Sequence, residues 1–438
     1  MSILFQKIKS QAIKLAPPDS FLRNLAILGS GTAIAQLIPV LSSPILTRLY
    51  TPEDFGIFAV FMALISTFIP IICGKYEVAL VLPRNNMEAK HLLGIAFYFC
   101  FILVCAVGAL FLFSEERILL LIHISKLGSW LMAVPMVLFL VGIFTALSYY
   151  SNRNKRYKLL ANARIIRSVV TALVSISAGY FTVGFGGLLA GFFIGVAVAS
   201  LFLLTQNREI LTPSLIRWSR TKKNLLCKYR HYPIYNASTS LLNGLTLNLP
   251  VFFLSGFFPE TIVGYYAIVF RVAYAPVGFI ATSISQINLK KVVDLISNNS
   301  PVIPYLLKLS GLLLLLILVP AFPIIMWGPE IFGFVFGENW SIAGEYARIL
   351  MPAIIIQFIS STLSGTLEAT QHNQLLALWR LISIFSTTSI LFLFASYGKI
   401  FTFLKAYTIN NILLYILYFI FIIFSAHNPK NYEISQKD

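Results

Sequence analysis

About twelve stretches of this chain are each long and apolar enough to cross the hydrocarbon core of a bilayer, which takes about 20 residues of helix. They fall near 24–46, 55–74, 90–113, 130–150, 160–181, 186–205, 232–254, 262–284, 305–327, 346–367, 375–396 and 400–424. A segment in lipid must satisfy its own backbone hydrogen bonds, and at this length only a helix does so. Composition agrees: 58% of residues are hydrophobic and 11% charged, against about 45–50% and about 25% in soluble domains. The connections are mostly short and leave little room for a soluble domain. The chain reads as an all-α polytopic membrane protein.

The formal net charge of +17 first points to nucleic acid, but its distribution points elsewhere. Lys and Arg crowd the N-terminus (Lys7, Lys9, Lys14, Arg23), the stretch 75–90 (Lys75, Arg84, Lys90) and the stretch 151–167 (Arg153, Lys155, Arg156, Lys158, Arg164, Arg167). They recur at 208–230, at Lys290 and Lys291, and in the tail at Lys430 and Lys437. The loops between hold few cations and several acids, among them Glu53, Asp54, Glu115, Glu116, Glu260, Glu330, Glu338 and Glu345. Every second loop is basic, which places those loops and both termini in the cytoplasm. No nucleic-acid partner is expected.

Residues 1–20, MSILFQKIKSQAIKLAPPDS, space apolar and Lys residues as a short amphipathic helix on the inner leaflet would, ending at Pro17-Pro18. No cleavable signal peptide is evident. Cys73, Cys100, Cys105 and Cys227 fall in spans or cytoplasmic loops, with no metal-site spacing and no reason to expect a disulfide.

Two pairs of stretches mark an internal duplication. TPEDFGIFA (51–59) and FPETIVGYYA (258–267) each place Pro-Glu, Gly, an aromatic and Ala between the first and second span of a six-span set. LSYYSNRNKRYKLLANAR (147–164) and LSGTLEATQHNQLLALWR (363–380) each read Leu-Ser, then Leu-Leu-Ala, then Arg, at the fourth-to-fifth and tenth-to-eleventh connections. The second copy carries extra residues between its markers, and GPEIFGFVFGENWSIAGE (328–345) is the expected loop for them. Six spans is an even number, so the copies enter the membrane in the same orientation, a parallel repeat about an axis along the membrane normal. The expected parts are an N-terminal lobe at 21–205, a basic cytoplasmic linker at 206–230, a C-terminal lobe at 231–425 and a cytoplasmic tail at 426–438.

SSPILTRLYTPEDFGIFAVF followed by GKYEVALVLP, together with LSYYSNRNKRYKLLANARIIRS and VFGENWSIAGEYARILMPAIIIQFISSTLSGTLEATQHNQ, resembles the bacterial polysaccharide-exporter family, the Wzx-type O-antigen flippases. The resemblance runs from about residue 21 to 424. One departure is Lys75, where the family pattern before Tyr-Glu leads us to expect Arg; the charge survives but the bidentate fork does not. The resemblance implies the fold of the MOP superfamily, as in MATE transporters: two parallel six-helix lobes around a central cavity. It implies transport of an undecaprenyl-diphosphate-linked oligosaccharide, an O-antigen or capsule repeat unit, from the cytoplasmic to the periplasmic leaflet of the inner membrane. Implied partners are that glycan, membrane lipid and other polysaccharide-assembly membrane proteins. No cofactor is expected.

Such a substrate needs cations for its diphosphate and polar surface for its sugars, and Arg suits phosphate because its planar fork meets two oxygens at once. Arg271 lies about nine residues into its span, roughly 14 Å deep, where an Arg costs on the order of 3 kcal/mol; it should face the cleft, or else be satisfied by helix carbonyls. Arg48 sits beside Glu53 and Asp54 and contacts substrate or closes a local salt bridge. Lys75 and Glu77 meet the entering diphosphate or snorkel to the interface. Arg164 and Arg380 are the matched pair of the repeat, though positive-inside anchoring accounts for them adequately. Asn243 and Asn248, flanking Gly244, suit a sugar-lined cavity or helix–helix hydrogen bonding.

No central carboxylate is evident, so the sequence leaves open H+ or Na+ as coupling ion. Three rival readings meet specific obstacles. A MATE-type cation-coupled exporter wants acids in the N-terminal lobe, whose charges near the membrane are mainly cationic. A membrane glycan polymerase wants a large outward loop, and the longest here is about twenty residues. A scaffold without transport leaves the deep Arg271 unexplained. No Walker loop is present, and no enzymatic activity is expected.

Overall fold

In the computed structural model the described residues are 21–83, 85–122, 125–181, 184–210, 215, 217–396 and 398–427. Outside them lie the expected amphipathic segment 1–20, Arg84, His123 and nearly all of the expected tail. Among the described residues twelve helices are long and apolar enough to span a membrane. In chain order they are α1 (Gly29–Leu49), α2 (Pro52–Ile71), α3 (Asn86–Phe113), α4 (Trp130–Arg153), α5 (Tyr157–Tyr180) and α6 (Phe185–Gln206). The second set is α7 (Tyr232–Phe257), α8 (Glu260–Ser297), α9 (Val302–Phe336), α10 (Glu338–Ala369), α11 (Asn373–Ala395) and α12 (Ile400–His427). Among the described residues no strand occurs. Large apolar side chains such as Leu41, Phe113, Val319 and Phe334 are exposed, a liability in water and the expected lining of a lipid-facing surface.

The chain divides into two compact units, one ending at Asn248 and the other beginning at Leu249. In the first, α1, α5 and α6 pack closely because small residues meet at their seams. A Cβ on Gly31 of α1 would collide with Ala161 of α5, and one on Gly195 of α6 would lie 2.9 Å from the Arg167 carbonyl. Tyr50, in the turn after α1, donates to the Ser175 carbonyl at 2.6 Å, and burial followed by nearby Asp54 pushes its phenol up to about 12. The start of α7 belongs to this unit through Asn248, which donates to the Thr67 hydroxyl at 3.3 Å and accepts from Ser66 at 3.1 Å.

The second unit is built around α8, α9, α10 and α12. Val292, Leu306, Leu367 and Ile422 are buried in one cluster, and Ala281, Leu313 and Phe358 in another. Here one expectation needs correction. Residues 328–336 are not loop: α9 runs on to Phe336, with its only non-helical backbone at Trp327. Gly328 and Pro329 look like breakers in sequence, yet Pro is at home in the first turn after a kink. Gly328 lets the α10 backbone approach, since a Cβ there would lie 2.6 Å from the Gly344 carbonyl oxygen.

The duplicated markers reappear as duplicated backbone. In the α4–α5 connection Lys155 is left-handed at φ 56, and at the matching position of the α10–α11 connection Gln371 is left-handed at φ 58. Around the first, Lys155 N donates to Asn152 O and Arg156 N to Ser151 O, both at 2.9 Å. Around the second, Gln371 N donates to Glu368 O at 3.1 Å and His372 N to Leu367 O at 2.9 Å. These are the paired bonds of a helix stopped by one αL residue. The two hairpins differ more. Thr51 caps α2 with a capping box closed by Asp54, whereas Pro259 precedes α8 with no side-chain cap.

Candidate functional site

Pro39 has no N–H, so the Ala35 carbonyl one turn earlier on α1 loses its intrahelical donor. Ser168 of α5 supplies one, donating to Ala35 O at 2.8 Å. Beside this stitch the two helices part around a cavity of about 490 Å³. Thr32, Ala35, Gln36 and Pro39 of α1 line it on one side, and Arg164, Arg167 and Ser168 of α5 on the other, with Phe144 of α4 at its wall. Each helix contributes positions three and four apart, which share a face.

Both arginines are held in place. Arg164 donates to the Thr32 hydroxyl. The Arg167 guanidinium carbon lies 5.5 Å from the Phe144 ring centre and 5.6 Å from that of Phe192, within cation–π range on both. Arg167 is ten residues into α5, roughly 15 Å along it, about the middle of a 30 Å core. The cavity offers an anion two guanidinium groups and the polar side chains of Thr32, Gln36 and Ser168.

Two other expected residues lie nearby. Gly74 and Lys75 are both left-handed, at φ 58 and φ 62, and turn the chain after α2 into the short helix Tyr76–Ala79. There Glu77 is buried, 3% exposed, and among the described residues its Oε2 has no hydrogen-bond partner. Burial pushes its carboxyl above the ordinary range; its own backbone amide and Lys75 oppose that shift. Tyr149 of α4 lies within electrostatic reach of both Glu77 and Arg164. The structure therefore gathers Arg164, Lys75 and Glu77 on one side of the first unit.

The remaining expected residues are placed differently. Arg48 is exposed and sixteen residues along α1 from Thr32, about 24 Å away, so the cavity does not include it. Asn243 is exposed, and Asn248 is engaged in the helix–helix hydrogen bonds described above. In the second unit Arg271 is half-buried within one turn of π-helix, Phe270–Tyr274, a distortion frequent at functional sites. Near it in sequence, Tyr274 has a buried hydroxyl without a hydrogen-bond partner among the described residues. Arg380 is exposed, while its neighbour Trp379 stacks on Tyr418 at 4.3 Å.

Arg167 escaped the sequence reading, although the depth argument applied to Arg271 applies to it equally. Its place in a basic cluster hid it, because the positive-inside rule already accounted for the cluster. Several other loop cations are structural. Arg156 pairs with Glu209 at 2.9 Å, Arg153 donates to Asn86 Oδ1 at 2.7 Å, and Lys90 donates to the Glu209 carbonyl at 2.8 Å.

The fold has relatives among solved structures. One is a lipid II flippase, MurJ, in an inward closed conformation, with TM-score 0.73, 14% identity and coverage of 92% of this chain and 89% of that one. An inward-facing multidrug resistance MATE family transporter of the MOP superfamily aligns with TM-score 0.67, 14% identity and coverage of 94% and 99%. A MOP superfamily transporter from Pyrococcus furiosus aligns at 0.62 and 13% identity, covering 93% and 96%. No curated protein sequence matches the chain. The twelve spans among the described residues and this fold define a multi-pass membrane protein built like these transporters. The chain matches the model of the polysaccharide biosynthesis protein family over residues 45–345 and belongs to that family.

Proposed function

We propose that the protein carries an undecaprenyl-diphosphate-linked oligosaccharide, an O-antigen or capsule repeat unit, from the cytoplasmic to the periplasmic leaflet of a bacterial inner membrane. The observation that carries this reading is the cavity between α1 and α5 with Arg164 and Arg167 on its wall. An arginine deep in a span costs free energy, which an anionic ligand offsets by charge-assisted, bidentate hydrogen bonds. Thr32, Gln36 and Ser168 supply neutral partners for phosphate or sugar oxygens. Lys75 and Glu77 stand at the entry side, while Arg271, Arg380, Arg48 and Asn243 serve the glycan elsewhere on its route. Basic loops set both termini in the cytoplasm. Alternating access of six-helix lobes at 21–205 and 231–425, joined by 206–230, moves the head group while the polyprenyl tail stays in lipid.

A MATE-type exporter of cationic drugs fits less well, because two guanidinium groups repel a cationic ligand. The reading is tested in a strain lacking the protein, with a lectin applied to inverted and right-side-out vesicles. Head groups that accumulate on the cytoplasmic face, and move outward on re-expression, support it. Head groups that reach the periplasmic face normally but stay as single repeat units assign the protein to polymerisation, and unchanged lipid-linked glycan brings the small-molecule exporter forward.

A further inference from the structure

The basic stretch between α6 and α7 is not a free tether. Ser219 caps the helix Arg220–Lys228, its hydroxyl accepting from Lys222 N at 3.3 Å. This helix turns Lys222 inward, fully buried, where its Nζ donates to the Leu215 carbonyl at 2.8 Å and lies 5.0 Å from the ring centre of Tyr98 on α3. Gly94 of α3 makes the room: a Cβ there would sit 2.8 Å from Nζ. Burial pushes the ammonium below its ordinary value. Trp218 adds an edge-on contact with Tyr98 at 5.5 Å. The segment is a strap seated on α3.

The strap walls an apolar cavity of about 430 Å³ whose lining includes Phe97, Phe101, Phe139, Ile143, Leu204 and, from the strap, Leu215. Phe101 is 58% exposed. At the strap edge Arg217 and Arg220 are exposed on either side of Trp218, and a Trp flanked by cations is the signature of a membrane interface. An apolar wall ending at Leu215 and exposed cations two and five residues further along the chain match one ligand class, an amphiphile with a hydrocarbon chain and an anionic head.

We propose that this cavity binds an acyl chain of an anionic membrane phospholipid, with Arg217 and Arg220 holding its phosphate. A soluble anion makes no use of the apolar wall, and a lipid without net charge makes no use of the two arginines. The bound lipid fastens the strap to α3 and so ties the connection ahead of α7 to the first unit. This inference does not depend on the transport reading.

The test titrates phosphatidylglycerol and phosphatidylcholine onto the purified full chain in neutral detergent, reading lipid retained and the melting temperature. Phosphatidylglycerol should half-saturate at a concentration at least tenfold lower than phosphatidylcholine. Arg217→Gln and Arg220→Gln should each weaken it about fivefold, the worth of one cation at an anionic interface. Both side chains are exposed, so neither variant endangers the fold. Gly94→Val, which displaces Lys222, should abolish the preference, and Leu204→Trp, which fills the cavity, should lower retention of either lipid. Equal midpoints for the two lipids, or an unchanged midpoint in the double Arg variant, would overturn the proposal in favour of non-specific annular lipid. Displacement of phosphatidylglycerol by farnesyl diphosphate at lower concentration would overturn it in favour of the transported lipid itself.

Discussion

Arg164 on α5 reaches across the helix seam and donates to the hydroxyl of Thr32 on α1, so one of the cavity's two cations is held by a residue that the cavity itself presents. Thr32→Val removes the acceptor and leaves the charge. The proposed role therefore separates position from charge. Arg164→Ala and Arg167→Ala should each lower outward movement of the lipid-linked glycan roughly tenfold to a hundredfold, the worth of one charge-assisted hydrogen bond. Thr32→Val should cost less. Lectin labelling of vesicles at matched protein levels reads the rate, and wild-type transport in both arginine variants would remove the cavity from the mechanism.

Glu77 predicts a pH dependence of stability. Because burial raises its carboxyl in the folded protein, the native state binds that proton more tightly than the unfolded chain does. The contribution is fully present below the ordinary carboxylate range and is lost as pH rises through the raised native value. Wild type should therefore melt at a lower temperature as pH climbs through that window. Glu77→Gln, which keeps the shape without the charge, should flatten the slope and melt higher at neutral pH. Melting curves of both proteins across the acid-to-neutral range decide it; parallel slopes would show that Glu77 is not the group responsible.

How far the sequence spoke depends on which residues are asked. The spans were legible because apolar runs of membrane length have few other uses, and the duplicated turn was legible because Lys155 and Gln371 sit in matched words. What stayed hidden was register. Lys222 belongs to a run of cations that reads as solvated, and only the helix Arg220–Lys228 decides that this one turns inward to Tyr98. Arg167 was visible as a charge but not as a cavity wall, because its neighbours Thr32 and Phe144 come from other helices. The stretch after Trp327, the expected loop for the extra residues of the second copy, is helix to Phe336, and Gly328 and Pro329, which break helices in water, serve a close backbone crossing and a kink there.

Asp54, next to the Glu53 of the repeated Pro-Glu pair, holds the first hairpin. Its Oδ2 accepts from Thr51 N at 3.0 Å and Thr51 Oγ1 at 2.8 Å, and its Oδ1 accepts from Phe185 N at 2.8 Å, at the start of α6. Thr51→Ala should cost about 1 kcal/mol, the ordinary worth of a cap. Asp54→Ala also strands the α6 amide, and should cost about 2 kcal/mol or more. Melting temperatures in detergent compare the two, and an Asp54→Ala no worse than Thr51→Ala would show that the tie to α6 contributes nothing.

The α9–α10 crossing gives the sharpest steric prediction. A Cβ on Gly344 would lie 2.6 Å from the Cα of Pro329, and one on Gly328 2.6 Å from the Gly344 carbonyl oxygen. The obstructing atoms are backbone on both sides, so no side chain can swing away. Gly344→Ala must push the helices apart and should cost at least the 1–3 kcal/mol typical of overpacking. Gly311 on the same α9 has nothing within 4 Å of its Cβ position, and Gly311→Ala should lose no stability, since Ala is the better helix former. If both variants melt alike, the two helices are not in contact along this line, and the helical continuation past Trp327 loses its physical reason.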